Sequence, residues 1–382
     1  MALTVSAVFF ASQSDENSST DRKWLLLVAA GAAVAILLFA LFATTTKQPN
    51  SSPYTTEASS TASSAMRTAT GASGGTSRPA QDFFESLAST YSMTPAKVAT
   101  LPAPSTAIPD PTRAAEYMGS NWPVSNAKAS EFVEFVDDPL SHDDNEPDIA
   151  LSVMYPKGQY TQGEDGGASL SLDVFGQGKT RAMISYEVGF ETNFDFVKGG
   201  KLPGLFGGSG TCSGGRDSES CFSARFMWRA EGAGEGATKK LSAPLYTYIP
   251  LYDGQCDESV TCHGDFGQSY NRGSFKFSAG QYTTLTEIAI LNSDPSRDGT
   301  EANGYLAVYD GETLAFERSD LVWRTNATVF FSKVMAQTFF GGSTADYAST
   351  ALTHTFYKNW QFYEGDEAST MEGESVVASV GT

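Results

Sequence analysis

Histidine is scarce in this chain of 382 residues: there are three, His142, His263 and His354, and they stand in unrelated contexts. No Ser–His–Asp set can be assembled from them, so hydrolysis of the serine-triad type is not indicated. Cysteine numbers four and forms no C-x-x-C pair, which removes zinc-ribbon and thioredoxin-like patterns. Cations are outnumbered too, 25 Lys and Arg against 44 Asp and Glu, for a formal charge of −19. A general nucleic-acid binder needs a broad basic surface, and this composition excludes one. Beyond residue 43 there is no long segment of 3.6-residue periodicity and no internal repeat, so neither a helical bundle nor a solenoid fits.

What the chain has in quantity is glycine, 36 residues, and aromatic side chains, 12 % of the total. That balance belongs to a strand-and-turn protein. Its one long apolar run, Trp24 to Ala43, meets the requirement of about 20 residues for a bilayer-spanning helix. Arg22 and Lys23 precede it, which favours a cytoplasmic N-terminus and a type II orientation with the remainder extracellular or lumenal. A cleaved secretory signal ending near Ala43 is the alternative.

The expected organisation is a cytoplasmic segment (1–23), a transmembrane helix (24–43), a disordered Ser/Thr/Pro-rich stalk with an acidic lead-in (44–148), a β domain (149–363) and an acidic disordered tail (364–382). Gln81 to Tyr91 reads as one short helix within the stalk. Glu131 to Asp148 reads as a solvated acidic face, since it lacks the ligand spacing of an EF-hand calcium loop. Cys212 with Cys221 and Cys256 with Cys262 form close pairs that fit local disulfides in an exoplasmic protein. His263 beside Cys262 leaves zinc as a rival for the second pair. Asn326 and Asn50 begin glycosylation acceptor triplets.

Strand signals occur at Leu170–Phe175, Arg181–Phe190, Phe222–Arg229, Leu245–Ile249, Ser274–Phe277, Tyr282–Leu291, Tyr305–Tyr309, Thr328–Phe331 and Thr353–Tyr363, separated by Gly, Asn and Asp clusters. Many short strands without intervening helices predict an all-β jelly-roll sandwich with one concave, cleft-forming sheet. In CFSARFMWR the residues alternate, with Phe222, Ala224, Phe226 and Trp228 on one side and Ser223, Arg225, Met227 and Arg229 on the other. LYTYI repeats this, setting Tyr246 and Tyr248 opposite Leu245, Thr247 and Ile249. An apolar face backed by Ser, Arg and Tyr suits the floor of a cleft for an anionic, hydroxyl-rich polymer. GQGKT (Gly176 to Thr180) lacks the first glycine and the helix that a phosphate loop requires.

The blocks YPKGQY (Tyr155–Tyr160), SYEVGFE (Ser185–Glu191), FDFVKGGKLPGLFGG (Phe194–Gly208), CSGG (Cys212–Gly215), CFSARFMWR, GAGE (Gly232–Glu235), YTYIP, RGSFKF (Arg272–Phe277) and TFFGGS (Thr338–Ser343) follow one another through the core. In this order they resemble polysaccharide lyase family 14, the alginate lyase group. The resemblance implies a jelly roll that cleaves a polyuronate of alginate or glucuronan type by β-elimination, with no required metal or cofactor. It places the family's functional residues on Lys201, Ser223, Arg225, Tyr246 and Tyr248. Lys198, Arg229 and Arg272 are added as substrate-binding candidates. Two stretches depart from the family pattern, GATKKLSAP (Gly236–Pro244) and KVMAQ (Lys333–Gln337), both apparent insertions. The expected partners are an anionic polysaccharide and, through the N-terminal anchor, a membrane. A lectin-like wall-binding protein and an epimerase, which shares the proton abstraction, are the alternatives.

For elimination the roles follow from charge. The carboxylate on C5 must be neutralised, the C5 proton removed and the departing O4 protonated. Arg225 offers a two-donor fork, Lys201 adds a point charge, and Ser223 can donate to the carboxylate or a sugar hydroxyl. A tyrosine beside such cations has its pKa pulled down towards use, so Tyr246 or Tyr248 is the expected base or acid, with Lys201 as the base the variant.

Overall fold

In the computed structural model residues 81–379 are described, apart from 142–147, 162–165, 215–217, 232–239, 243–244 and 264–266. The apolar run from Trp24 to Ala43, the stalk as far as residue 80 and Asn50 lie outside the described residues. Among the described residues no helix is long and apolar enough to cross a membrane.

Alternating apolar residues build two large sheets with antiparallel pairing. The first runs β16 (Thr313–Leu321), β15 (Gly304–Asp310), β13 (Tyr282–Ile290), β6 (Arg181–Phe190), β18 (Thr353–Gly365), β4 (Ile149–Tyr155) and β3 (Val133–Asp137), with β1 (Thr94–Thr100) also paired to β18. The second runs β11 (Val260–Cys262), β12 (Gln268–Tyr270), β10 (Leu245–Tyr248), β8 (Cys221–Glu231), β7 (Gly199–Gly208), β17 (Phe331–Phe340), β5 (Ala168–Leu172) and β2 (Val124–Lys128), with β9 (Lys240–Ser242) beside β8. A small pair, β14 (Glu301–Ala302) and β19 (Glu374–Ser375), lies apart from both.

The core between the sheets is aromatic. Ile184, Tyr186, Val188 and Phe190 of β6 meet Phe222, Phe226 and Trp228 of β8 in one apolar cluster. Edge-on contacts such as Phe190–Trp228, 5.8 Å between ring centres, knit the sheets together. The outer face of β6 is covered as well: helix α1 (Gln81–Thr90) packs Phe84, Leu87 and Ala88 on Met183, Ile288, Ile290 and Tyr363. This is the sandwich the alternation predicts.

The structure redraws several boundaries. The stalk reading fails from Gln81 onward: α1, β1, a helix α2 (Pro111–Asn121), β2 and β3 all join the domain. Asp110 caps α2 by accepting the Arg113 amide proton at 3.0 Å, and Pro111 occupies the first turn. The tail is not free either. Glu364 ends within β18, β19 pairs with β14, and Leu251 bridges Ser379. Ser274–Phe277 forms no strand, although Phe275 and Phe277 reach the core. The strand expected at Thr328–Phe331 instead begins at Phe331 and runs through KVMAQ to Phe340. In KGGKLPG the residues from Gly199 onward belong to β7. Its glycines allow close approach: a β-carbon on Gly200 would stand 1.9 Å from the Trp228 ring, and one on Gly204 would stand 2.1 Å from the Ala224 carbonyl oxygen.

Candidate active site

The face of the second sheet turned away from the core carries its own cluster: Phe206, Cys212, Cys221, Met227, Tyr246, Tyr248 and Met335. Register explains the grouping. Tyr246 pairs with Arg225 and Tyr248 with Ser223, while Gly204 and Phe206 face the same two residues from β7. Directly paired residues share a face, so the alternation of β8 and β10 delivers the hydroxyls and the guanidinium together.

Lys201 Nζ lies 3.6 Å from the centre of the Tyr246 ring and 3.0 Å from Met227 Sδ. No carboxylate pairs with it among the described residues. Burial, then Arg225, then Arg229 hold its pKa well below the usual lysine range. The ring contact opposes this, since an ammonium over an aromatic face gains about 0.5–2 kcal/mol, but full burial beside two guanidiniums outweighs it. The amine is therefore biased towards its neutral form.

Arg225 donates from Nη1 to Gln337 Oε1 at 2.6 Å, while its buried Nε has no partner among the described residues. Burial also lowers its affinity for its proton, although Arg remains charged. Tyr246 accepts a hydrogen bond from the Gly267 amide at 3.0 Å. Burial, with Tyr248 adding to it, raises the Tyr246 pKa despite the nearby cations. The expectation of a lowered tyrosine pKa is thus reversed, because desolvation of the phenolate exceeds the attraction of Arg229.

The open floor expected from the sequence is also corrected. Arg225 is 2 % exposed and Ser223 0 %. Ser223 Oγ donates to the Cys212 carbonyl at 2.7 Å, holding the loop closed by the Cys212–Cys221 disulfide. Its proton serves the fold rather than an open donor position. The second disulfide, Cys256–Cys262, forms as the close spacing predicts and takes both thiols from the zinc alternative.

Of the other candidates, Arg229 reaches the cluster, its guanidinium 6.0 Å from the Tyr246 ring centre. Lys198 does not: it is solvent-exposed, ion-paired with Asp346 and 5.3 Å from the Tyr347 ring centre. Arg272 stands at the rim, donating to Ser269 Oγ at 3.2 Å and facing His263 Nε2 at 3.0 Å. Asn326 is exposed in the loop before β17, its side chain accepting from the Thr328 amide and hydroxyl.

Two participants escaped the sequence reading. His263 sits with its ring 5.9 Å from that of Tyr246; burial, then Arg272, Arg229 and Lys201, lower its pKa, so it stays neutral. Gln337 orients Arg225 and is itself held by donating to Ser169 at 3.1 Å. Gln337 closes the KVMAQ stretch, and only the pairing of β17 with β7 could have pointed to it. An amine whose hold on its proton is weakened, a phenol whose hold is strengthened and an arginine fork within one desolvated cluster can accept a proton, supply one and compensate charge.

Comparison with known proteins bears on the fold and the family. The family model described as polysaccharide lyase 14 matches residues 143–360. A crystal structure of a marine family-14 alginate lyase from Aplysia kurodai is 26 % identical, with a TM-score of 0.58 over 71 % of this chain and 100 % of that one. Alginate lyase Aly36B (20 %, TM-score 0.53, covering 72 % and 99 %) and alginate lyase vAL-1 from Chlorella virus (20 %, 0.51, 68 % and 99 %) share the fold. No curated protein matches the chain. With more than half of its length inside the family model, this chain belongs to polysaccharide lyase family 14 and is a polysaccharide lyase.

Proposed function

We propose that this enzyme cleaves a polyuronate of alginate or glucuronan type by β-elimination, with Lys201 as base and Tyr246 as acid. The observation that carries the reading is a Lys201 ammonium with a weakened hold on its proton, its Nζ 3.6 Å from the centre of the Tyr246 ring, together with a Tyr246 phenol that holds its proton more tightly and an Arg225 Nε without a partner among the described residues.

Arg225 neutralises the sugar carboxylate, so that charge developing on C5 spreads into a compensated group. The Lys201 amine takes the C5 proton. The C5–H electrons form the C4=C5 double bond, the C4–O4 bond breaks, and Tyr246 gives its proton to O4. One product ends in an unsaturated uronate and the other in a free hydroxyl. Return of the proton from the Lys201 ammonium to the Tyr246 phenolate resets both groups. The Gly267 amide supports the phenolate while it exists. Tyr248, in register with Ser223, bounds the site from β10. The relative from Aplysia kurodai, an alginate lyase, supports alginate as the first substrate to test.

The apolar run at Trp24 to Ala43 supports a type II anchored enzyme with this domain outside the membrane. Incubating the full chain with alginate, polyglucuronate and their oligomers, and following the ultraviolet absorbance of the conjugated product, tests the reaction. Absorbance that rises for one of these polymers is the expected result. Binding without any rise, across substrates and pH, would establish a lectin instead; proton exchange at C5 without chain cleavage would establish an epimerase.

A further inference from the structure

A second groove, about 680 Å³ in volume, lies outside the cluster at the Ser209 and Ser220 end of the β7–β8 hairpin. That volume falls within the range of about 300–1,000 Å³ typical of small-ligand sites. Hydroxyls and amides, among them Ser209, Ser220, Ser332 and Gln177, share its wall with the rings of Phe175, Phe330 and Phe331. Its charged residues are Lys97, Lys333 and Asp173, and Asp173 is already engaged by the Ser125 hydroxyl at 2.7 Å. Neither lysine forms an ion pair among the described residues. In a chain of net charge −19, a wall with two unpaired cations and one engaged acid is a local inversion.

Lys333 ties this groove to the catalytic face. Its ammonium lies 4.7 Å from the centre of the Phe206 ring. Phe206 is in register with Ser223, and Ser223 with Tyr248. Lys333, Phe206, Ser223 and Tyr248 thus form one row across four strands, with Lys333 about 14 Å from Tyr248 at about 4.8 Å per strand. A short run of sugar rings spans that distance. Lys333 also opens KVMAQ, one of the stretches by which the sequence departs from the family pattern.

We propose that the groove is a second carbohydrate site, in which Lys333 and Lys97 bind carboxylates of the same anionic polysaccharide beyond the units that meet Lys201 and Arg225. The proposal rests on the polyuronate reading. Its chemistry is a cation resting on an aromatic ring, surrounded by hydroxyl and amide partners for sugar hydroxyls, which suits a uronate unit better than a neutral sugar.

The test compares wild type, Lys333→Met and Lys333→Arg on polymeric alginate and on the shortest oligomers cleaved. Because Asn326 lines the same groove, the protein is first treated with a glycosidase. Lys333→Met keeps an aliphatic cover over Phe206 while removing the charge. It should raise KM for the polymer about five-fold, weaken the salt dependence and leave kcat unchanged. Short oligomers should be cut as by wild type, and Lys333→Arg should restore the polymer KM. An unchanged polymer KM in Lys333→Met, an equal loss on short oligomers, or failure of Lys333→Arg to rescue would overturn the second site. A wild type that cuts no polyuronate would instead overturn the underlying reading.

Discussion

Buried and half-buried cations around the two sheets are treated in opposite ways. Around the first sheet, Lys179 meets Glu364 and Asp366, Arg181 meets Glu367, and Lys358 meets Asp138 and Asp148. On the outer face of the second sheet, Lys201, Arg225 and Arg229 gather without a carboxylate among the described residues. The chain has acid to spare, so the lack of it here does not reflect composition. The consequence is visible in the lysines. Burial pulls Lys358 down, but Asp138 and Asp148 more than restore it, whereas Lys201 is left lowered. Burial is common to both groups; what differs is the presence of a counter-ion, and a buried cation without one is the better candidate for chemistry.

The sharpest way to break this contrast is Lys201→Met. Loss of the base should reduce turnover by about 10²–10⁴-fold, read as initial rate on polyuronate. The same variant should melt at a higher temperature, because it removes an ammonium that folding must desolvate. The sign follows from proton counting. Lys201 has a folded pKa below its unfolded value of 10.5, so the unfolded state holds more protons between those two values. Wild-type stability should therefore rise with pH across that window, and the variant should lack the slope. Activity should rise with pH through the same lowered value, as the amine loses its proton. A variant that is both inactive and less stable would place Lys201 among the structural charges.

Next in size is Arg225→Lys, which keeps the charge and removes the fork. A loss of about 10²–10³-fold in kcat/KM is expected, with the fold intact by circular dichroism. Lys358→Met supplies the opposite case on the first sheet. It removes the counter-ion of the buried Asp138 carboxylate, leaving the Tyr282 hydroxyl and the Leu140 amide on its other oxygen, and should cost about 1–3 kcal/mol in denaturant unfolding, with kcat unchanged. Smallest of all is Asp366→Asn. That carboxylate is mostly exposed, and its pairing with Lys179 should leave the thermal midpoint unmoved within error.

Much of the fold was legible because a period of two is a local property. Arg181–Phe190 and the two faces of CFSARFMWR fall where alternation puts them. Thr94–Thr100 and Val133–Asp137 were absorbed into a stalk, since their weak pattern gains its burial from β18 and β4, which lie far along the chain. Pro111–Asn121 carried a legible Asp-Pro start that its Pro-rich surroundings concealed. The site was legible to the extent that its members sit on strands with clear alternation. Gln337 and His263 were not, because each enters through pairing of a strand whose own sequence carries no sign of its neighbour.

By itself, then, the sequence determined the β architecture, the family and which side chains of β8 and β10 share a face, for side-chain direction in a strand depends only on counting residues. The tertiary structure alone decided that this face would be covered, that Lys201 would lose its hold on a proton while Tyr246 tightened its own, and that Arg225 would be steadied by a residue 112 positions away. Desolvation and counter-ion distance set those outcomes, and both are properties of packing in space rather than of order along the chain.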